Sequence, residues 1–119
     1  MTGARFGRRV RLAAKADFRH VFAQPAKSWD RYFTVLARPT TLGFPRLGLA
    51  ISRKAAKSAV ARNRIKRIVR ESFRHRQAEL GSLDVVVIGR ERLGGQPNAV
   101  LFAALNRHWA ELARRCARS

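Results

Sequence analysis

Acidic side chains are scarce in this sequence: seven Asp and Glu stand against 26 Lys and Arg, a formal charge of +19. A compact body with that excess repels itself, and a polyanionic partner relieves the repulsion. Nucleic acid is the first candidate and an anionic membrane surface the second. Long apolar runs are missing too. The longest aliphatic stretch, Val85 to Ile88, is strand-sized and far short of the ~20 residues that span a bilayer. The basic start Arg5-Phe6-Gly7-Arg8-Arg9-Val10-Arg11 leads into no apolar signal region. The expectation is a soluble cytoplasmic protein with no membrane partner.

Cysteine occurs once, as Cys116, so no internal disulfide can form. Cys, His and carboxylates are nowhere clustered at metal-ligand spacing. The three histidines, His20, His75 and His108, fall in three different segments, whereas acid–base cleavage of a phosphodiester needs two such groups on one phosphate. Glu71 and His75, four residues apart, read as a surface pair. Gly94-Gly95 lacks the Lys and Ser or Thr of a phosphate loop and reads as a turn. The expectation is therefore no catalytic residue and no metal site in the protein, and no small-molecule substrate.

What is present suffices for a core. Hydrophobic residues make up 46% of 119, which fits a single domain over 1–119. Residues 1–11 read as a mobile basic arm and 114–119 as a mobile tail. Phe18, Val21 and Phe22, at i, i+3 and i+4, predict a short helix over 15–23 that Pro25 ends. Residues 31–38 alternate, with Phe33, Val35 and Ala37 on one face and Tyr32, Thr34 and Leu36 on the other. After a turn at 40–45, a strand over 46–52 puts Leu47, Leu49 and Ile51 opposite Arg46, Gly48, Ala50 and Ser52. Ser58 can cap a long helix reaching Gln77 or Leu80, with Gly81 as its stop. A strand over 84–90 and a helix over 97–113, with Val100, Leu101, Leu105, Trp109 and Leu112 as its core stripe, complete an α/β arrangement.

The segment 53–76 is the most informative. Ten of its 24 residues are Lys or Arg, and Glu71 is its one acid. At 100° per residue, Ala61, Ile65, Ile68, Val69, Ser72 and Phe73 share one arc. Lys66, Arg67, Arg70 and Arg74 occupy another arc with Asn63. Positions i and i+4 rise ~6 Å, near the phosphate spacing along one strand. A solvated charged face normally mixes signs, and this one does not. The face is built for a polyanion.

Here the residues resemble a known family. Arg62-Asn63-Arg64-Ile65-Lys66-Arg67, followed by Arg70-Glu71-Ser72-Phe73-Arg74, is similar to the signature of the bacterial ribonuclease P protein. Upstream, Arg46-Leu47-Gly48-Leu49-Ala50-Ile51-Ser52-Arg53-Lys54 resembles its preceding strand, Asp17-Phe18-Arg19-His20-Val21-Phe22 its first helix, and Asp84-Val85-Val86-Val87-Ile88 its last strand. The resemblance implies an α/β (α+β) two-layer sandwich, αβββαβα, with a small mixed sheet and a left-handed βαβ crossover, ribosomal-protein-S5-domain-2-like. It implies two RNA-facing surfaces. Arg53, Lys54, Arg62, Asn63, Arg64, Lys66, Arg67, Arg70 and Arg74 would face the catalytic ribonuclease P RNA. A cleft between the first helix and the sheet would hold the single-stranded 5′ leader of precursor tRNA.

The cleft residues expected on that basis are Arg11, Lys15, Phe18, Phe22, Tyr32, Thr34, Leu36, Arg46 and Ser52, with Gly48 and Ala50 leaving room on the floor. Aromatic rings stack on bases without demanding a sequence. Phe18 and Phe22 can equally anchor their helix in the core, and position 36 is Leu where some relatives carry an aromatic ring. The resemblance further implies that the RNA carries catalysis, with Mg2+ in the RNA-containing holoenzyme and no cofactor bound by the protein alone. A ribosomal or general structured-RNA-binding protein shares this composition and stays open, as do a DNA-architectural protein and a free-standing nuclease.

Overall fold

Alternating apolar residues build one sheet. The computed structural model describes residues 11, 12 and 14–116. Strands β1 (Ala26–Trp29), β2 (Phe33–Pro39), β3 (Arg46–Ala50) and β4 (Leu83–Gly89) lie in the order β1-β2-β4-β3. Strand β2 is antiparallel to both neighbours, whereas β3 is parallel to β4. Parallel neighbours need a crossover, and α2 (Ala59–Arg74) with α3 (Gln77–Leu80) supplies it. Helix α1 (Lys15–Ala23) precedes the sheet, and α4 (Asn98–Cys116) follows it after a 3₁₀ turn at Leu93–Gly95. With α2 and α3 taken as one broken helix, the chain order is αβββαβα.

The sheet's two faces are covered unequally. Phe33, Val35, Ala37, Leu47, Val85 and Val87 point to one face and pack against Ile65, Ile68, Val69 and Phe73 of α2. Leu101, Ala104, Leu105, Trp109 and Leu112 of α4 close the same core, with Val100 half-buried at its margin. The Trp109 indole N–H donates to Ser72 Oγ at 2.7 Å, and its ring meets Phe73 edge-on at 6.0 Å. A large ring is thus buried with its polar tip satisfied.

Pairing registers define three rows on the other face: Arg38–Asp84–Arg46, then Lys27–Leu36–Val86–Gly48, then Trp29–Thr34–Ile88–Ala50. Helix α1 covers the first two. Val21 packs there with Leu12, Leu36 and Val86. Arg46 grips Asp84 through two bonds of 2.8 and 2.7 Å and reaches Asp17 of α1 at 3.4 Å. Arg38 donates to the His20 carbonyl at 3.2 Å. The third row is covered least: Ile88 packs at the margin of that cluster, Thr34 is half-buried, and Ala50 and Trp29 are exposed.

Several boundaries differ from the sequence expectation. Strand β1 is the third strand that the resemblance implies before α2, though its four residues, Ala-Lys-Ser-Trp, carry too little apolar patterning to locate it. Asp30 closes the β1–β2 hairpin, its carboxylate accepting from the amides of Tyr32 and Phe33 at 2.8 Å. Tyr32 therefore belongs to the turn, and β2 starts at Phe33, two residues later than the alternation indicates. Helix α2 stops at Arg74, and a tightened turn, with the Arg76 amide on the Phe73 carbonyl at 2.9 Å, redirects the chain so that Leu80 enters the core. Gly81 then ends α3 at φ 63°, a conformation that suits glycine. Helix α4 runs past 113 to Cys116. Residues 117–119 of the expected tail and 1–10 of the expected arm lie outside the described residues, whereas Arg11 pairs with Leu47 beside β3.

Candidate nucleic-acid interface

Ser58 starts α2 by accepting from the Ala61 amide at 3.0 Å. Burial of Ile65, Ile68, Val69, Ser72 and Phe73 then fixes which way the helix faces. Its basic residues fall into two groups. Arg62 donates to the carbonyls of Ala56 and Lys57 at 3.1 and 2.8 Å, tying down the loop before the helix. Arg64 donates to the Asn98 side chain at the start of α4 and to the Gly94 carbonyl. Arg74 pairs with Glu71 at 2.7 Å, and the hydrogen bonds from Arg74 and His75 push the Glu71 carboxyl down to about 2. By contrast, Arg53, Lys54, Lys66, Arg67 and Arg70 have no side-chain partner among the described residues. Asn63 is exposed beside them.

The two expected surfaces meet. Lys66 and Arg70 of α2 line a cavity of about 220 Å³ with Arg11, Leu12, Phe18, Leu47 and Leu49. An aromatic edge and several cations thus border one opening at the outer side of β3. At the far end of the sheet, Arg31, Ser52, Lys54 and Arg90 line a second depression, with Glu91 as its one acid. Between these two lies the partly covered row of Thr34, Ile88 and Ala50.

A sequence profile described as Ribonuclease P matches residues 6–113. The chain belongs to the ribonuclease P protein family. It is 54% identical over 117 residues to the ribonuclease P protein component of Methylococcus capsulatus, covering 98% of this chain and 91% of that one. The component from Idiomarina loihiensis is 45% identical, over 93% and 90% of the two chains. Among solved structures, the Staphylococcus aureus RNase P protein superposes with a TM-score of 0.78 at 28% identity, over 87% of this chain and 94% of that one. The protein is accordingly a component of ribonuclease P, an endoribonuclease of tRNA processing whose assembly brings an RNA partner.

Within that family's frame, several expected cleft residues sit elsewhere. Tyr32 packs against the α2/α4 core instead of joining the Thr34 face. Leu36 is only 6% exposed, buried beneath α1. Arg46 spends its guanidinium on Asp84 and Asp17, so it clamps α1 to the sheet. Gly48 makes room for the protein's own ring: a Cβ there would sit 2.7 Å from Phe18. Phe18 is half-buried, whereas Phe22 is 48% exposed. Lys15 is exposed on α1, Thr34 is half-buried and Ser52 exposed. Sequence reasoning missed Trp29, 64% exposed at the end of β1, because residue pattern did not place a strand at 26–29.

It also missed how His108 is held. Its Nδ1 lies 2.7 Å from Ser28 Oγ and its Nε2 3.1 Å from Asp30 Oδ2, across 80 residues of sequence in the first case. Serine, histidine and aspartate in that order have the composition of a nucleophilic relay. Yet His108 is 3% exposed, and Asp30 is already occupied by the hairpin amides and by Arg107 at 3.6 Å. The trio pins β1 to α4.

Among the described residues no three His, Cys, Asp or Glu side chains converge. Asp17, Asp30, Glu71, Asp84, Glu79 and Glu111 are each ion-paired to Arg or His. This donor set does not fit a protein-held magnesium ion. No helix among the described residues is long and apolar enough to cross a membrane.

Proposed function

We propose that this chain serves ribonuclease P by binding RNA on two joined surfaces, the α2 cation row and the groove beside α1. The observation that carries this reading is the cavity where Arg11 and Phe18 meet Lys66 and Arg70. It makes one continuous path from the helix that would hold the catalytic RNA to the sheet face that would hold the 5′ leader. Lys66, Arg67 and Arg70 offer charge that the protein itself leaves unmatched among the described residues, which is what phosphate contacts require. Phe22, half-exposed on α1, offers a face for a base.

The protein's role in the cut is positioning and charge neutralisation in the cytoplasm; phosphodiester hydrolysis and the divalent metal belong to the RNA. Contacts of this kind favour substrate capture over the chemical step itself. Reconstituted with a ribonuclease P RNA, the holoenzyme should bind leader-bearing precursor tRNA more tightly than mature tRNA. Phe22→Ala should reduce that preference about tenfold, within the range of one lost stacking contact. Equal affinity for the two RNAs would overturn the leader part of the proposal.

A further inference from the structure

Trp29 is the most exposed aromatic ring among the described residues, and nothing in the core requires it. It ends β1, an edge strand, opposite Thr34. That pairing makes it the terminal member of the row Trp29–Thr34–Ile88–Ala50, the row α1 covers least. At ~4.8 Å between strands, the row is roughly 14 Å long, enough for about two nucleotides beyond those at α1. The Arg90 guanidinium lies 5.8 Å from the Trp29 ring centroid, and its Nη1 is held by the Asp30 carbonyl at 2.9 Å. A cation on one face of an indole fixes the ring and leaves the opposite face for a partner. Arg90 also lines the depression with Arg31 and Lys54, so a polyanion is favoured beside the ring.

We propose that Trp29 stacks on a base of single-stranded RNA and extends the groove to the β1 edge, so that this chain engages a longer leader. The inference rests on the leader-binding reading above. A flat aromatic plane against Arg90, which shares a depression with Arg31, Lys54 and one acid, Glu91, fits a nucleobase with its flanking phosphates. An apolar protein partner would instead have to bury those cations unpaired.

The test is made on the reconstituted holoenzyme, with precursor tRNAs whose leaders shorten one nucleotide at a time. Affinity is expressed relative to leaderless tRNA for each protein. The wild type should keep gaining affinity over lengths at which Trp29→Ala has stopped, ending about five- to tenfold tighter. Trp29→Phe, which keeps a ring, should recover most of that gain. Emission provides a second readout, because Trp109 is 0% exposed and Trp29 is the accessible indole. Acrylamide quenching of Trp29 should fall when the longer leader binds. Superimposable length profiles for wild type and Trp29→Ala, with leader dependence intact, would sink this inference alone. A wild type indifferent to leader length would sink the leader reading itself. A change in sedimentation with unchanged leader profiles would make Trp29 a protein contact and likewise overturn the proposal.

Discussion

Gly48 shows how a single position can be misread from composition and resolved by geometry. A small residue on a cleft floor invites a ligand, yet here the space is filled by Phe18. Gly48→Ala should therefore destabilise the fold by about 1–3 kcal/mol through overpacking, measured by urea denaturation. Pairing it with Phe18→Leu should recover part of the loss, since the clash is with the ring. The basic residues divide in the same way. Arg64→Ala should lower stability as well as RNA binding, because Arg64 bonds Asn98 and Gly94. Arg67→Ala, exposed and without a partner among the described residues, should leave the unfolding free energy from urea denaturation within about 0.5 kcal/mol of wild type. Its RNA affinity should fall with a salt slope shallower by about one. The cationic arc was legible in the sequence; which of its members are already engaged was not, since Arg64 finds its partners some 30 residues away.

At the scale of elements, periodicity located α1 and the core face of α2 because burial demands one apolar stripe per helix. It failed where tertiary packing overrides local pattern. The break after Arg74 serves Leu80, which has to reach the core, and β1 exists through its pairing with β2. Two clamps hold these pieces. Arg46 joins Asp84, 1% exposed, to Asp17 on α1. Asp84→Ala leaves that guanidinium with the longer contact to Asp17 alone and should cost about 3 kcal/mol; α1 amides should lose hydrogen-exchange protection first. The second clamp is Asp30. Burial raises its pKa, but the Phe33 and Tyr32 amides and His108 together hold it below the usual 3.8. A depressed carboxyl stabilises the fold above its unfolded value, and that stabilisation is lost as pH falls through the folded one. Wild-type stability should therefore drop more steeply below about pH 4 than that of Asp30→Asn, followed by denaturation at pH 7 and pH 3.

For the molecule as a whole, the excess of 26 basic over seven acidic residues is directional in effect. The acids are largely drawn into ion pairs, as at Arg46, Arg74 and Arg76, while Lys66, Arg67 and Arg70 remain available along one side of α2. The fold's chain order followed from sequence blocks and family resemblance. The cavity joining α1 to α2 depends on β3 being an edge strand, which no local pattern reveals. On the reading proposed above, this protein aids ribonuclease P through that joined surface. The direct test is cleavage of leader-bearing precursor tRNA by a ribonuclease P RNA at low magnesium, with and without the protein. Wild type should stimulate cleavage at the mature 5′ end, and a Lys66→Ala, Arg67→Ala, Arg70→Ala variant that keeps its fold should lose most of the stimulation. Full stimulation by that variant, or none by a wild type that still binds the RNA, would contradict a role for the joined surface.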